Sequence, residues 1–317
     1  MTNDQILSTC NDVAKAIDEG RLYDAYSTLI SLSEGKLWWE LTEKLKAQEQ
    51  SYRMMLDYAA KGADDPGRPE LYVTLQDKLY TLLDIFRRRV AMIDTPTSYF
   101  NTLRYEGRQT NDTIASLLEK LRTLRSSDSL LDIIADGKAQ EGVDHRSIED
   151  LEKRIFDRVW VSFPLNDDTA QVIDLALHDD AIDDKFKRML LGALMLGQMQ
   201  YNDHRRLQLL LTAYRDSASG RLAMAALTAA VIGIAAHPQR PVNKSIQDMI
   251  AALRDTTTWT TDVRNVYIEL RVALDTDRIT RKLNDEVLPQ IMKLRPDIAK
   301  KINELDGLDV ENLEENH

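Results

Sequence analysis

The chain has 317 residues, 43% of them hydrophobic and 29% charged, enough apolar material for a folded core and too much for disorder over most of its length. Its 52 acidic and 41 basic side chains leave a formal charge of −11, a mean field that repels phosphate backbones and argues against a nucleic-acid partner. A single cysteine, Cys10, excludes an intramolecular disulfide and a cysteine zinc site, and fits a reducing compartment.

Only 12 glycines and 8 prolines punctuate a chain rich in Leu, Ala, Glu, Lys and Arg, the profile of helices joined by short turns. The expected class is all-α. "MTNDQILSTC" lacks the basic n-region and apolar core of a secretory signal, so a cytoplasmic location is expected. Leu222 to Ala236 is apolar apart from Thr228, yet it is shorter than the roughly 20 residues a bilayer core requires, so no membrane insertion is expected.

In chain order, "DQILSTCNDVAKAIDEG" and "RLYDAYSTLISLSEG" form a helical pair with Gly20 and Gly35 as C-terminal stops. Gly20, Asp24, Ala25 and Leu29 resemble the turn and second helix of a tetratricopeptide repeat. A longer helix over 37–61 carries Leu41, Leu45, Tyr52, Met55, Leu56 and Ala59 at three-and-four spacing. It breaks at "KGADDPGRPEL", and the next helix, with Leu71, Leu75, Leu79, Leu82, Leu83 and Phe86, completes an antiparallel hairpin. Shorter helices are expected around 97–106 and 110–125, closing an N-terminal part of residues 1–125; the stretch 126–147 reads as a joint, and 305–317 as an acidic tail.

Over 148–304 the pattern repeats. Arg188 precedes Leu194 as Arg221 precedes Leu227 and Arg264 precedes Leu270, and the first two copies lie 33 residues apart. "LQLLLTAYRD" and "IQDMIAALRD" repeat as the preceding helices. One helix pair cannot bury both its faces, so repetition implies stacking into an α-solenoid of antiparallel helix pairs. The arrangement resembles HEAT-type repeats, and that resemblance implies a ladder pairing Asp183 with Arg188 and Asp216 with Arg221, with Arg264 in a third, lengthened copy. "SYRMMLDYAAKGADDPGRPELYVTLQDKLYTLLD", "FDRVW" and "NDEVLPQIMKLRPDIAKKI" resemble the N-terminal part of a family of large bacterial helical-repeat proteins of unassigned function, described as tetratricopeptide-repeat proteins. The resemblance implies a further C-terminal region.

Candidate chemistry is sparse. The five histidines are scattered without a second His or Cys at metal-ligand spacing, and His178, His204 and His237 sit near helix ends, where an imidazole can meet terminal carbonyls. Asp179, Asp180, Asp183 and Asp184 crowd one turn, but without the glycine and alternation of a calcium loop they read as helix caps. Arg87, Arg88 and Arg89 point in different directions on a helix and read as solvated surface. Of Trp38 and Trp39, one ring can face the core and the other solvent, where it would serve as an interaction anchor.

No cofactor, metal or catalytic constellation is expected. The expected function is a protein-interaction scaffold holding a protein or peptide along the second helices of its repeats, through exposed polar residues such as Lys187, Gln198 and Arg271. The alternatives are an enzyme with a carboxylate pair in an inter-helix groove, and a structural arm for a further C-terminal region. Oligomeric state stays open.

Overall fold

A computed structural model of the chain describes residues 2–62, 64–109, 112–134, 145–282 and 285. Thirteen α-helices and no strand occur among the described residues. None of these helices is long and apolar enough to cross a membrane. The acidic tail 305–317 lies outside the described residues, as does nearly all of "NDEVLPQIMKLRPDIAKKI". The helices belong to two compact units, Met1–Thr257 and Thr258–His317.

The first unit opens with α1 (Asn3–Asp18), α2 (Leu22–Gly35), α3 (Trp39–Ala60) and α4 (Arg68–Ala91). A capping box starts α1: Gln5 N donates to Thr2 Oγ1 (3.3 Å) and Thr2 N donates to Gln5 Oε1 (2.9 Å). Gly20 takes a positive φ of 77° at the turn, as its position after α1 demands. Each helix packs on the next, and α1 also packs on α4, so the two hairpins close on one another. Their shared core holds Ile17, Leu22, Tyr26, Leu29, Leu41, Leu45, Leu79, Leu83 and Phe86. Leu56, expected in the stripe of α3, is exposed because it follows Met55 by about 100° around the helix and falls outside the buried arc. Leu71, in the first turn of α4, is exposed as well.

The end of α2 departs from expectation. Gly35 lies inside the helix, and the left-handed position falls to Leu37, at φ 58°. Leu37 N donates to Glu34 O (3.0 Å) and Trp38 N to Ser33 O (3.1 Å), the paired bonds of a Schellman motif whose left-handed residue is usually glycine. A leucine there carries a steric penalty on the order of 1 kcal/mol.

After α5 (Ser98–Glu106) come α6 (Ile114–Ile134) and α7 (His145–Val161). Helix α6 thus runs past residue 125 into the stretch expected as a joint, whose part 135–144 lies outside the described residues. The pairs α8 (Asp167–His178) with α9 (Asp184–Gln200) and α10 (His204–Asp216) with α11 (Gly220–Ala235) follow, and α12 (Lys244–Arg254) closes the unit. Asn166, Asp183, Asp203, Ser219 and Asn243 cap the five helices through side-chain oxygens. Contacts skip alternate helices: α7 packs on α9 and α9 on α11, while α6 packs on α8, α8 on α10 and α10 on α12. Leu194 and Leu227, 33 residues apart in the chain, are both buried on helices that pack against each other.

In the second unit, α13 (Trp259–Lys282) buries Val266 and leaves Leu270 half-buried, with Arg264 and Arg271 exposed.

The strained end of α2 generates a direct expectation. Leu37→Gly should raise unfolding free energy by about 0.5–1 kcal/mol, read as a higher denaturant midpoint at unchanged slope.

Candidate functional site

Helix α4 is apolar on one side and polar on another. Asp77, Thr81, Asp84 and Arg88 recur at i, i+4, i+7 and i+11, so they share one face. That face meets the repeats. Asp77 Oδ1 lies 2.8 Å from Nε2 of His204, at the start of α10. Asp84 accepts from Arg240, in the loop between α11 and α12. Arg88 donates to the Val161 carbonyl at the end of α7 (2.7 Å) and to Tyr99 Oη (3.2 Å). Three residues of one helix therefore tie the N-terminal hairpins to three separate elements.

Beside Asp84 opens a cleft of about 550 Å³, walled by α1, α4 and the loop after α11, with Asp18, Tyr80, Asp84, His237 and Arg240 among its lining. The carboxylate pair imagined for an enzyme is present in the sense that Asp18 and Asp84 both face it. Both are engaged, however: Asp18 accepts from the Tyr80 hydroxyl, and Asp84 is held by Arg240, whose guanidinium lies 4.0 Å over the Tyr80 ring. Burial pushes the Asp84 carboxyl up from its ordinary range, while Arg240 and Arg87 pull it back. Burial and then the Asp18 carboxylate push the Tyr80 phenol upward too. This chemistry joins elements, since each charge has its partner in the wall.

Arg87, Arg88 and Arg89 do diverge, but inward. Arg87 donates to the Cys10 carbonyl (2.8 Å) and to Asn11 Oδ1 (2.8 Å), Arg88 to α7 as above, and Arg89 lies 5.7 Å from the Trp38 ring. The solvated-surface reading is corrected accordingly: partners 11 to 77 residues away in sequence hold these side chains. Cys10 is fully buried, and desolvation pushes its thiol to about 11, which disfavours a thiolate nucleophile.

Below the seam lies Arg206 of α10, with no exposed surface. Its Nη2 donates to the carbonyls of Val159 (2.9 Å) and Trp160 (3.2 Å) and to that of Ser162, and its Nη1 approaches those of Ala193 and Leu194 (both 3.4 Å). These include the last carbonyls of α7, which have no partner within their own helix. Burial pulls the guanidinium down to about 10, still protonated at neutral pH. Gly197 makes room for it: a Cβ there would stand 2.0 Å from Arg206 Nη1.

The same turn corrects the expected partner contacts. Gln198 is fully buried: its Oε1 accepts from Asp203 N (2.9 Å), its Nε2 donates to Asn202 Oδ1 (2.7 Å), and its carbonyl accepts from His237 Nε2 (2.6 Å). Lys187 is only 7% exposed. Three helical turns separate 187 from 198, so both fall on the face of α9 that buries Leu190 and Leu194. Arg271 is exposed on α13.

The expected ladder does not form among the described residues. The Asp183 carboxylate caps α9 through Phe186 N (2.6 Å) and pairs with Arg125 (2.8 Å), while Arg188 Nε donates to the Asp184 carbonyl (3.2 Å). Asp216 is taken by its neighbour Arg215, through contacts of 2.6 and 2.7 Å. Arg221 and Arg264 are exposed. Among the histidines, His178 Nδ1 meets the Asp174 carbonyl (2.8 Å) and His237 the Gln198 carbonyl, whereas His204 reaches a carboxylate on α4. No group of three or more His, Cys, Asp or Glu side chains is placed to hold a metal among the described residues.

Burial holds His237 below its ordinary value of 6.5. Its contribution is therefore complete above the unfolded value and is lost as pH falls through that value toward the folded one. In His237→Gln, which keeps an N–H for the Gln198 carbonyl, thermal stability should fall less between pH 6.5 and about 5 than in the unaltered protein.

No protein-family model, curated protein or solved structure matches the chain.

Proposed function

We propose that the chain is a non-enzymatic scaffold: an α-solenoid, tetratricopeptide-like in its first helices and HEAT-like in its second half, that holds a protein or peptide partner in the cytoplasm. The observation that carries this reading is the alternate-helix packing, α7 on α9 on α11 beside α6 on α8 on α10 on α12, which is how stacked helix pairs build an extended surface. Two further facts support it. The charges around the cleft beside Asp84 neutralise one another, and the repeats keep equivalent positions open on adjacent helices.

Those positions define the partner face. Arg188 and Arg221 are both exposed and lie 33 residues apart, as do half-buried Gly192 and Ala225, half-buried Met195 and Thr228, and Met199 and Ile232. Guanidinium groups at one end, small residues in the middle and methionines beyond make a shallow floor that adapts to an apolar segment and favours one with acidic residues. This face replaces the one drawn through Lys187 and Gln198.

Affinity capture with the intact chain and with a triple variant, Arg188→Glu, Arg221→Glu and Met199→Ser, tests the reading. Partner recovery should fall at least about tenfold while helical content and melting are unchanged. Equal recovery from a folded variant would contradict it.

A further inference from the structure

The contact between Asp77 and His204 borders a cavity of about 360 Å³, within the size range of small-molecule sites. Asp77, Asn202, Arg205, Gln208 and Asn243 line it, with Phe163 as an apolar wall.

The hydrogen bonds already made fix what this lining still offers. Asp203 N can only donate, so the Gln198 atom it meets is oxygen; the other end of that amide is then a donor, and the Asn202 atom it meets (2.7 Å) is oxygen in turn. Asn202, only 8% exposed, is left with Nδ2 for the cavity, and that donor has no protein partner among the described residues. Asn243 is fixed in the same way: its Oδ1 accepts from Ile246 N (3.0 Å) to cap α12, and Nδ2 stays over. Facing these donors, Asp77 keeps Oδ2, since Oδ1 meets His204. Gln208 keeps one end of its amide, the other meeting Ser245 (2.8 Å).

This lining selects its ligand. The carboxylates of Asp77, Asp167 and Asp203 border the cavity and repel an anion, and Arg205 is already paired with Asp167 (2.6 Å). No group of three or more His, Cys, Asp or Glu side chains is placed for a metal ion among the described residues. An apolar molecule would leave Asn202 Nδ2 desolvated without a bond. A hydroxyl donates and accepts at one atom, so a ring of hydroxyls suits a wall on which donors and acceptors alternate. A second cavity of about 630 Å³ adjoins the first, sharing Asp77 and Asn243, and Pro69, Val73, Pro241 and Val242 give it an apolar side on which the C–H face of a ring can lie.

We infer that the two cavities form one binding site for a short carbohydrate, with one sugar ring hydrogen-bonded by Asn202, Asn243, Asp77 and Gln208 and the next laid on Val73 and Val242. The site is built on α4, α10 and α12 and the turns before α10 and α12, whereas the partner face proposed above uses α9 and α11.

Titration calorimetry of the full chain with glucose, galactose, mannose, maltose, cellobiose and lactose, each to about 20 mM, tests this, with inorganic phosphate and trialanine as further arms. At least one disaccharide is expected to bind with a Kd of about 0.1–1 mM, and its component monosaccharide at least about tenfold more weakly, for want of the apolar contact. Asn243→Asp keeps the cap of α12 but turns the donor into an acceptor, so it should raise that Kd at least about tenfold while helical content and melting are unchanged. Gln208→Ala, which touches no cap, should weaken binding at least about threefold. Absence of binding by all the sugars, binding of phosphate or trialanine in their place, or sugar binding indifferent to both substitutions would overturn the proposal.

Discussion

A guanidinium buried without a carboxylate against it is tolerable only where several carbonyls point at it, and Arg206 occupies such a place. The end of α7 supplies most of those carbonyls and α9 approaches with two more, so one side chain of α10 joins three helices of both rows. The demand runs the other way too: without that cation, the last turn of α7 would be buried with unmet acceptors. Gly197 is the counterpart of this arrangement, a residue whose value is the volume it leaves empty. Gly233 acts similarly on the neighbouring helix, where a Cβ would stand 2.7 Å from Gln198 Cγ and crowd the side chain that organises the α9–α10 turn.

From that point the first unit is assembled outward by polar contacts of long sequence separation. Gln198 and Asp203 fix the turn, His237 binds the end of α11 to it, and Arg240, three residues later, reaches Asp84 on α4. The apolar contacts among α6 to α12 give packing energy but are permissive about register, since leucine packs acceptably on leucine in many offsets. Directional contacts at the helix ends select one arrangement. The result is a chain of ties, from α7 through α10 and α9 to the loop after α11 and onto α4, that makes two differently built groups of helices one compact unit.

Much of the helical layout was legible because periodicity and breakers are local signals. The hairpin of α3 and α4, its break near Gly62 and Pro66, and the buried pair Leu194 and Leu227 all follow from spacing. The ties were not legible. Asp77, Asp84 and Arg88 form a stripe visible on α4, yet nothing in the sequence says that the stripe is covered, because the partners that cover it from α7, α10 and the loop after α11 lie 73 to 156 residues away. Lys187 and Gln198 misled for the same reason: polar character suggested exposure, while the helical phase they share with Leu190 and Leu194 already placed them inside. Arg188 and Arg221 misled in the opposite sense, since the resemblance to HEAT repeats assigned them to a ladder while their phase faces solvent. At Gly35 the residue type was persuasive, but the helix ran one turn fraction further and put Leu37 at the strained position.

The dependence of the stack on a filled space between α9 and α10 is tested most directly at Gly197, by pairing Gly197→Ala with Arg206→Met and following amide hydrogen exchange helix by helix. Each single change should cost about 3 kcal/mol and speed exchange in α7, α9 and α10 while α1 to α3 stay protected. The double change should cost clearly less than the two together, because the added methyl no longer meets a guanidinium. Strict additivity, or protection in α7 unaffected by the loss of Arg206, would contradict the central role given to that side chain.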